Sequence, residues 1–376
     1  MNAQHLSTLK IAALALAIGT VAPLFNAGDA EAIPAFTRQH KTECATCHTI
    51  FPELTEQGEN FYKNSFVWEM GEGKKLTKAQ QDAKEKELKD KEYLILSSLP
   101  EIVPVSFGGT FNLSYNDQGP SDEKLDLSTR AVKLWAGGAL GDKLGFYLDY
   151  NLYTEGYYDP RYGNVPSNNV PDLRELFVQA RHVFGTPINV KVGRMRPDIS
   201  LWKGFNKTSV SPFATTGYRV VDSQYYVDAS IDGVEANAVL GGRLFVVAGA
   251  GKREDQDAVE PFFAVHYKFG GADFEGREQP VNLDSESIFD YLITTLGAYT
   301  YYGKEKSVTD IENRFYRYGF EADVRYQRFH AKLASVFGKD KNPSFSASSE
   351  QEDSMVLAAI SKTRSMRIDR SSWSCG

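Results

Sequence analysis

From about residue 103 to residue 360 the chain alternates apolar and polar residues with a period of two. In YRYGFEADVRY, Tyr316, Tyr318, Phe320, Ala322, Val324 and Tyr326 share one face, and Arg317, Glu321, Asp323 and Arg325 share the other. VPVSFGGTFNLSYN sets Val105, Phe107, Phe111, Leu113 and Tyr115 against Ser106, Gly108, Thr110, Asn112 and Ser114. LGFYLDYNLY separates Leu144, Phe146, Leu148, Tyr150 and Leu152 from Tyr147, Asp149 and Asn151, and INVKV alternates Ile188, Val190 and Val192 with Asn189 and Lys191. Successive side chains leave opposite faces of a strand, so these are strands with unlike surroundings on their two faces.

Two architectures satisfy that pattern. A soluble sandwich packs its apolar face on a second sheet, whereas a transmembrane barrel turns that face to lipid and lines its lumen with the polar one. The readable strands run about 9–12 residues, a tilted membrane-crossing length. Tyr, Phe and Trp recur near their ends, as in interfacial girdles, and the polar face carries charges of both signs. The barrel is therefore expected, an all-β, antiparallel, porin-like fold. Twelve candidate strands begin near residues 103, 127, 143, 172, 187, 231, 243, 259, 288, 313, 327 and 353. The polar segments 154–172 and 270–287 have the character of extracellular loops, and 197–230 reads either as a loop folded into the pore or as two weak strands. No later segment approaches the ~18–20 consecutive apolar residues of a membrane-spanning helix. A net charge of −7 argues against nucleic acid as a partner.

The N-terminal part has different chemistry. Lys10, the apolar run Ile11 to Phe25 and Ala30-Glu31-Ala32 form a secretory signal over 1–32, which places the mature start at Ile33. TECATCHTIF then carries Cys44, Cys47 and His48 as C-x-x-C-H. Two thiols at i and i+3 can reach the two vinyl groups of one haem, and the adjacent His is placed to ligate its iron. A redox dithiol needs no adjacent His, and a zinc site needs more than His40 nearby. The remaining cysteine, Cys375, leaves no disulfide framework. Candidates for the second axial ligand are Met70 in VWEMGEG and, second to it, His40; Met70 also suits a packing role beside Trp68.

Residues 33–73 form a c-type haem segment of only about 40 residues, too few to bury a core unaided. One covalent haem c supplies part of that core, and the rest of the chain is expected to shield it. Residues 74–102 read as a charged helical linker. After SMVLAAI the alternation stops, so 361–376 is expected to be an irregular tail of a truncated or shifted reading frame, with Cys375 accidental.

IPAFTRQHKTECATCHTIFPELTEQGENFYKNSF, residues 33–66, resembles the N-terminal segment of the fused monohaem cytochrome c–porin proteins of the outer membrane. These include the iron-oxidising outer-membrane cytochromes of neutrophilic and acidophilic bacteria. The shared pattern falls on Pro34, Phe36, Arg38, Gln39, Cys44, Cys47, His48, Phe51, Pro52 and Leu54, and continues through Gly58 and Phe61. Over the remaining chain the likeness is one of architecture. The resemblance implies one haem at or within the mouth of a barrel of up to roughly sixteen strands. It also implies electron flow from extracellular Fe(II) to periplasmic carriers such as soluble c-type cytochromes.

On that reading Cys44 and Cys47 fix the macrocycle, His48 ligates iron, and Arg38 either neutralises a haem propionate or is simply solvated. His266 and His330 fall on lumen-facing positions, as pore lining or as a second haem ligand or relay, and His182 lies at a strand end. A competing reading is a solute-selective porin whose haem plug is structural or a redox gate, with Lys191, Arg317, Glu321 and Arg325 setting selectivity. A third is a periplasmic haem sensor or peroxidase with a soluble β domain.

Overall fold

The structure, a computed structural model, describes residues 36, 40, 42, 44–48, 53–67, 104–115, 125–141, 143–154, 157–159, 163–165, 172–202, 214–254, 256–277, 291–307, 309–348 and 351–363. The signal segment 1–32, Arg38, Met70, the linker 74–102 and Cys375 lie outside them.

Strands β1 (Val105–Tyr115), β2 (Leu125–Leu140), β3 (Leu144–Thr154), β4 (Tyr157–Asp159), β5 (Gly163–Val165), β6 (Asp172–Ala180) and β7 (Ile188–Met195) come first. They are followed by β8 (Ile231–Leu240), β9 (Leu244–Arg253), β10 (Glu260–Phe269), β11 (Leu292–Lys306), β12 (Glu312–Tyr326), β13 (Phe329–Asp340) and β14 (Glu352–Thr363). Twelve of them form one antiparallel sheet in chain order, and β4–β5 is a separate small hairpin inside the segment expected to be loop. The largest displacement of a strand start is at β11, expected near 288 and found at Leu292. β14 continues to Thr363, past the point where alternation weakens in the sequence.

The two faces of the sheet reverse the ordinary order of burial. Phe107, Phe111, Leu176, Val192, Phe320 and Leu357 are exposed, while Asp149, Glu175, Lys191, Glu235, Lys268, Arg317 and Asp340 are buried. On β12, Phe320 is 59% exposed and Arg317 1%. An apolar surface facing outwards and charges facing inwards are what a lipid-embedded barrel requires. Curvature is visible in what the inner face grips: residues 53–66 touch β3, β10, β12 and β13, which a flat sheet could not bring to one small segment.

Strand direction defines two ends. At the near end, where β1 begins, lie the tight connections at 141–143, 181–187, 241–243 and 327–328. Gly241 and Gly242, at φ +58° and +71°, hold two successive left-handed positions of the three-residue β8–β9 turn, which glycine adopts without steric cost. The long β3–β6 connection lies at the far end, but 270–291 lies at the near end, so the two loops expected together on the extracellular side are on opposite sides. Loop length and polarity suggested a shared side; the parity of the strands between them decides otherwise. The β7–β8 connection resolves as the folded-in loop: among its described residues Ile199, Trp202, Tyr225 and Val227 are buried within the barrel.

Candidate functional site

The motif residues sit in the N-terminal segment that fills the near end. Helix α1 (Cys44–Cys47) is a single turn, continued by a hydrogen bond from His48 N to Cys44 O at 3.0 Å. This sets the two cysteines one turn apart on the same side, with His48 next along the backbone. The chain then reverses. His48 forms an antiparallel bridge with Leu54, and Thr55 N donates to Cys47 O at 2.9 Å. The Thr55 hydroxyl donates to Thr46 O (2.7 Å) and accepts from Gly58 N (3.1 Å), so one side chain caps helix α2 (Glu56–Lys63) and fastens it to α1. Gly58 permits the contact: a Cβ there would lie 2.3 Å from Cys47 O.

An aromatic cluster packs beneath the turn. Phe36 contacts Phe61 and Phe66 at centroid separations of 5.1 and 5.2 Å, and Phe66 stacks on Tyr147 of β3 at 5.7 Å. His40 meets Phe61 edge-on at 5.2 Å, and burial holds its pKa below the usual imidazole value, in the neutral form an iron ligand needs. Burial pushes the Cys47 thiol up to about 11, the opposite of the depressed pKa of a redox dithiol. Cys47 is a free thiol.

What holds the segment is charge. Glu53, Glu56 and Glu59, spaced three apart, each meet a cation of the wall. Glu56 pairs with Lys268 of β10 at 2.7 Å, and Glu59 with Arg325 of β12 at 3.2 Å. Glu53, 1% exposed, lies 3.1 Å from His330 Nδ1 and 3.5 Å from Lys332 Nζ on β13. His330 Nε2 is 2.9 Å from Asp323, so both ring nitrogens face carboxylates. Lys268, Arg325, His330 and Lys332 thus oppose Asp323 and the three glutamates, a cluster balanced only with the segment in place. Asn60 and Asn64 donate to Asp273 O and Phe274 O of the near-end loop, both at 3.1 Å. Tyr62 donates to Asp198 at 2.9 Å, where the segment meets the folded-in loop.

The other lumen positions named from sequence are all inside and engaged. Lys191 pairs with Asp198 and with Glu235 (2.9 Å), and Arg317 with Asp340 (2.7 Å). Glu321 accepts from the Ser200 hydroxyl (2.6 Å) and from Leu201 N. His266 Nε2 lies 3.1 Å from Ile199 O; His182 sits exposed in the β6–β7 turn at φ +48°. His330 is committed to carboxylates on both ring nitrogens, so its place is the docking contact rather than an iron ligand. Sequence reading missed the glutamate stripe. Its three-residue interval was visible in PELTEQGEN, but its meaning required knowing which wall residues it would face.

No protein-family profile and no characterised relative matches the chain. Among solved structures, the anion-selective porin from Comamonas acidovorans is similar at 17% identity, covering 68% of this chain and 73% of its own, with a TM-score of 0.38. OmpT, an outer membrane protein of Vibrio cholerae, is similar at 10% identity, covering 69% and 82%, with a TM-score of 0.31. A triple mutant of the Rhodopseudomonas blastica porin follows at 13%, covering 69% and 100%, with a TM-score of 0.21. At this level the likenesses add no weight to the barrel assignment, which rests on the register and on the reversed burial.

Proposed function

We propose that this chain is an outer-membrane electron-transfer protein, a porin-like barrel that carries one covalent haem c in its N-terminal plug. The supporting observation is that the C-x-x-C-H turn is built into a segment docked inside the barrel by ion pairs, not tethered outside it. The donors fit: two cysteines one helical turn apart, a following His, and an aromatic floor. A haem held there supplies a one-electron Fe(III)/Fe(II) couple. The chain's own residues do the rest. Cys44 and Cys47 attach the macrocycle, His48 ligates iron, and Met70, or His40 after it, is the second ligand. Arg38 is assigned to a propionate. Phe61 and Phe66, buried against Tyr147 and Phe177 of the wall, would keep water from the side of the segment that meets the barrel.

The substrate is proposed to be extracellular Fe(II), and the acceptors periplasmic carriers such as soluble c-type cytochromes. This follows the resemblance of residues 33–66 to the cytochrome–porin fusions. Carrying the redox centre inside a barrel shortens a crossing of ~30 Å of hydrocarbon that one haem could not span alone. The test is stopped-flow reduction of purified holoprotein by Fe(II), against sulfide, quinol analogues and metal chelates, repeated with sealed vesicles holding an oxidant. Absence of haem reduction by Fe(II) removes the iron assignment. A second reading, a solute-selective porin with a haem-bearing plug, is favoured by the charged inner face. Conduction of small solutes by the holoprotein in liposomes would select it.

A further inference from the structure

The glutamate nearest the motif does more than fasten the plug. Glu53 lies five residues after His48, and the two residues that follow it carry the contacts of the motif turn: Leu54 bridges His48, and Thr55 N donates to Cys47 O. The carboxylate itself is gripped by β13 through His330 Nδ1 (3.1 Å) and Lys332 Nζ (3.5 Å). His330 is in turn held by Asp323 of β12 at 2.9 Å. A continuous run of contacts therefore leads from two barrel strands, through one buried carboxylate, to the backbone of the residue that would ligate iron.

We propose that Glu53 is a positioning residue for His48, fixing the orientation of the axial imidazole against the barrel wall. The proposal rests on the haem reading above. It assigns His330 and Lys332 to the same task, as the wall side of the clamp. Glu56 and Glu59 anchor α2 on β10 and β12, and their link to the motif turn runs through the Thr55 cap to Thr46 and Cys47, not through the Leu54–His48 bridge. Loss of Glu53 should consequently disturb His48 in a way that loss of Glu56 does not.

The experiment compares wild type, Glu53→Gln, Glu53→Asp, His330→Gln and Glu56→Gln, each as the full chain, by two readouts. Covalent haem content, the low-spin electron paramagnetic resonance spectrum and the midpoint potential are measured on the loaded protein. Amide exchange at His48 and Thr55 is measured on the protein without haem. Expected for Glu53→Gln are several low-spin signals in place of one, a shifted potential, and exchange at both amides faster by about tenfold or more. Glu53→Asp should restore most of each, His330→Gln should follow Glu53→Gln, and Glu56→Gln should leave the spectrum unchanged. If Glu53→Gln fails to fold, His330→Gln carries the test, since Lys332 still compensates the carboxylate. Wild-type spectra and exchange rates in both Glu53→Gln and His330→Gln would overturn the proposal. Absence of covalent haem from wild type would instead overturn the electron-transfer reading, and the exchange rates would still decide whether Glu53 holds the turn.

Discussion

Two segments fill the inside of this barrel, and the wall charges they meet are balanced in different ways. Among the described residues of 196–230, the folded-in loop combines backbone and hydroxyl donors, Asp198 N to Glu235, Leu201 N and Ser200 to Glu321, and Gln224 N to Glu305, with charges of both signs, Arg196 on Glu175 and Asp198 on Lys191. Around its inner end the wall charges pair among themselves, Arg253 with Glu260 and Glu305, Arg317 with Asp340. The N-terminal segment instead completes the wall's charge balance with its own glutamates. The loop brings both signs of charge to the wall, whereas the plug brings three carboxylates to a wall that is cationic there, and the plug carries the candidate redox chemistry.

The sharpest way to break the comparison is at the self-paired wall. Arg317→Ala leaves Asp340 buried without its partner, and removing one member of a buried pair costs about 3–5 kcal/mol. Tyr225 and Phe315, which lie against the guanidinium at 5.6 and 4.8 Å, would also lose packing. The expected result is a barrel with a sharply lowered urea midpoint, read by heat-modifiable mobility in detergent. The triple variant Glu53→Gln, Glu56→Gln, Glu59→Gln should act on the other region. The barrel should persist while the plug loosens by at least about 3 kcal/mol, because the wall cations are left facing neutral amides. Protease cleavage after Lys63 and ion conductance in planar bilayers should both rise; a silent, protected variant would show that the charges do not hold the plug.

Gly58→Ala sharpens the comparison within the plug. Its Cβ would meet Cys47 O at 2.3 Å, and both partners are backbone, so neither can yield cheaply. An overpacking cost of about 1–3 kcal/mol should fall on the α1–α2 contact alone. Covalent haem content should drop while the urea midpoint of the barrel stays at its wild-type value.

How much of this was legible in the sequence follows the same division. The sheet was readable because its signal is local: alternation at Arg317, Glu321, Asp323 and Arg325 fixes both strand and face, whichever partners those residues find. The side on which a loop emerges is not local: 154–172 and 270–287 share length and polarity, yet strand parity puts them at opposite ends. The C-x-x-C-H turn was readable from its spacing. Its anchoring was not, because Glu53 meets residues near 330 and Glu56 meets Lys268, pairs brought together only by the curvature of the sheet around the plug. The inward loop announced itself by broken alternation, but Glu235 and Glu321 looked like any other lumen charge until their backbone donors were in place.

The smallest expected effect concerns His40, which packs edge-on against Phe61 in the plug's aromatic cluster. Its pKa is lowered from 6.5 because burial against Phe61 disfavours the imidazolium. The sign then follows from linkage: the unfolded segment takes up a proton near 6.5, and the docked segment resists until the pH is lower. Docking is therefore at full strength above that value and weakens as the pH falls through the lowered pKa. A clean attribution needs His40→Phe, which keeps a ring against Phe61 and removes the charge. In the protein without haem, plug protection from protease should decline from neutral pH towards pH ~5 in wild type and stay flatter in His40→Phe. Equal pH profiles in the two would show that His40 is not the source of the plug's acid sensitivity.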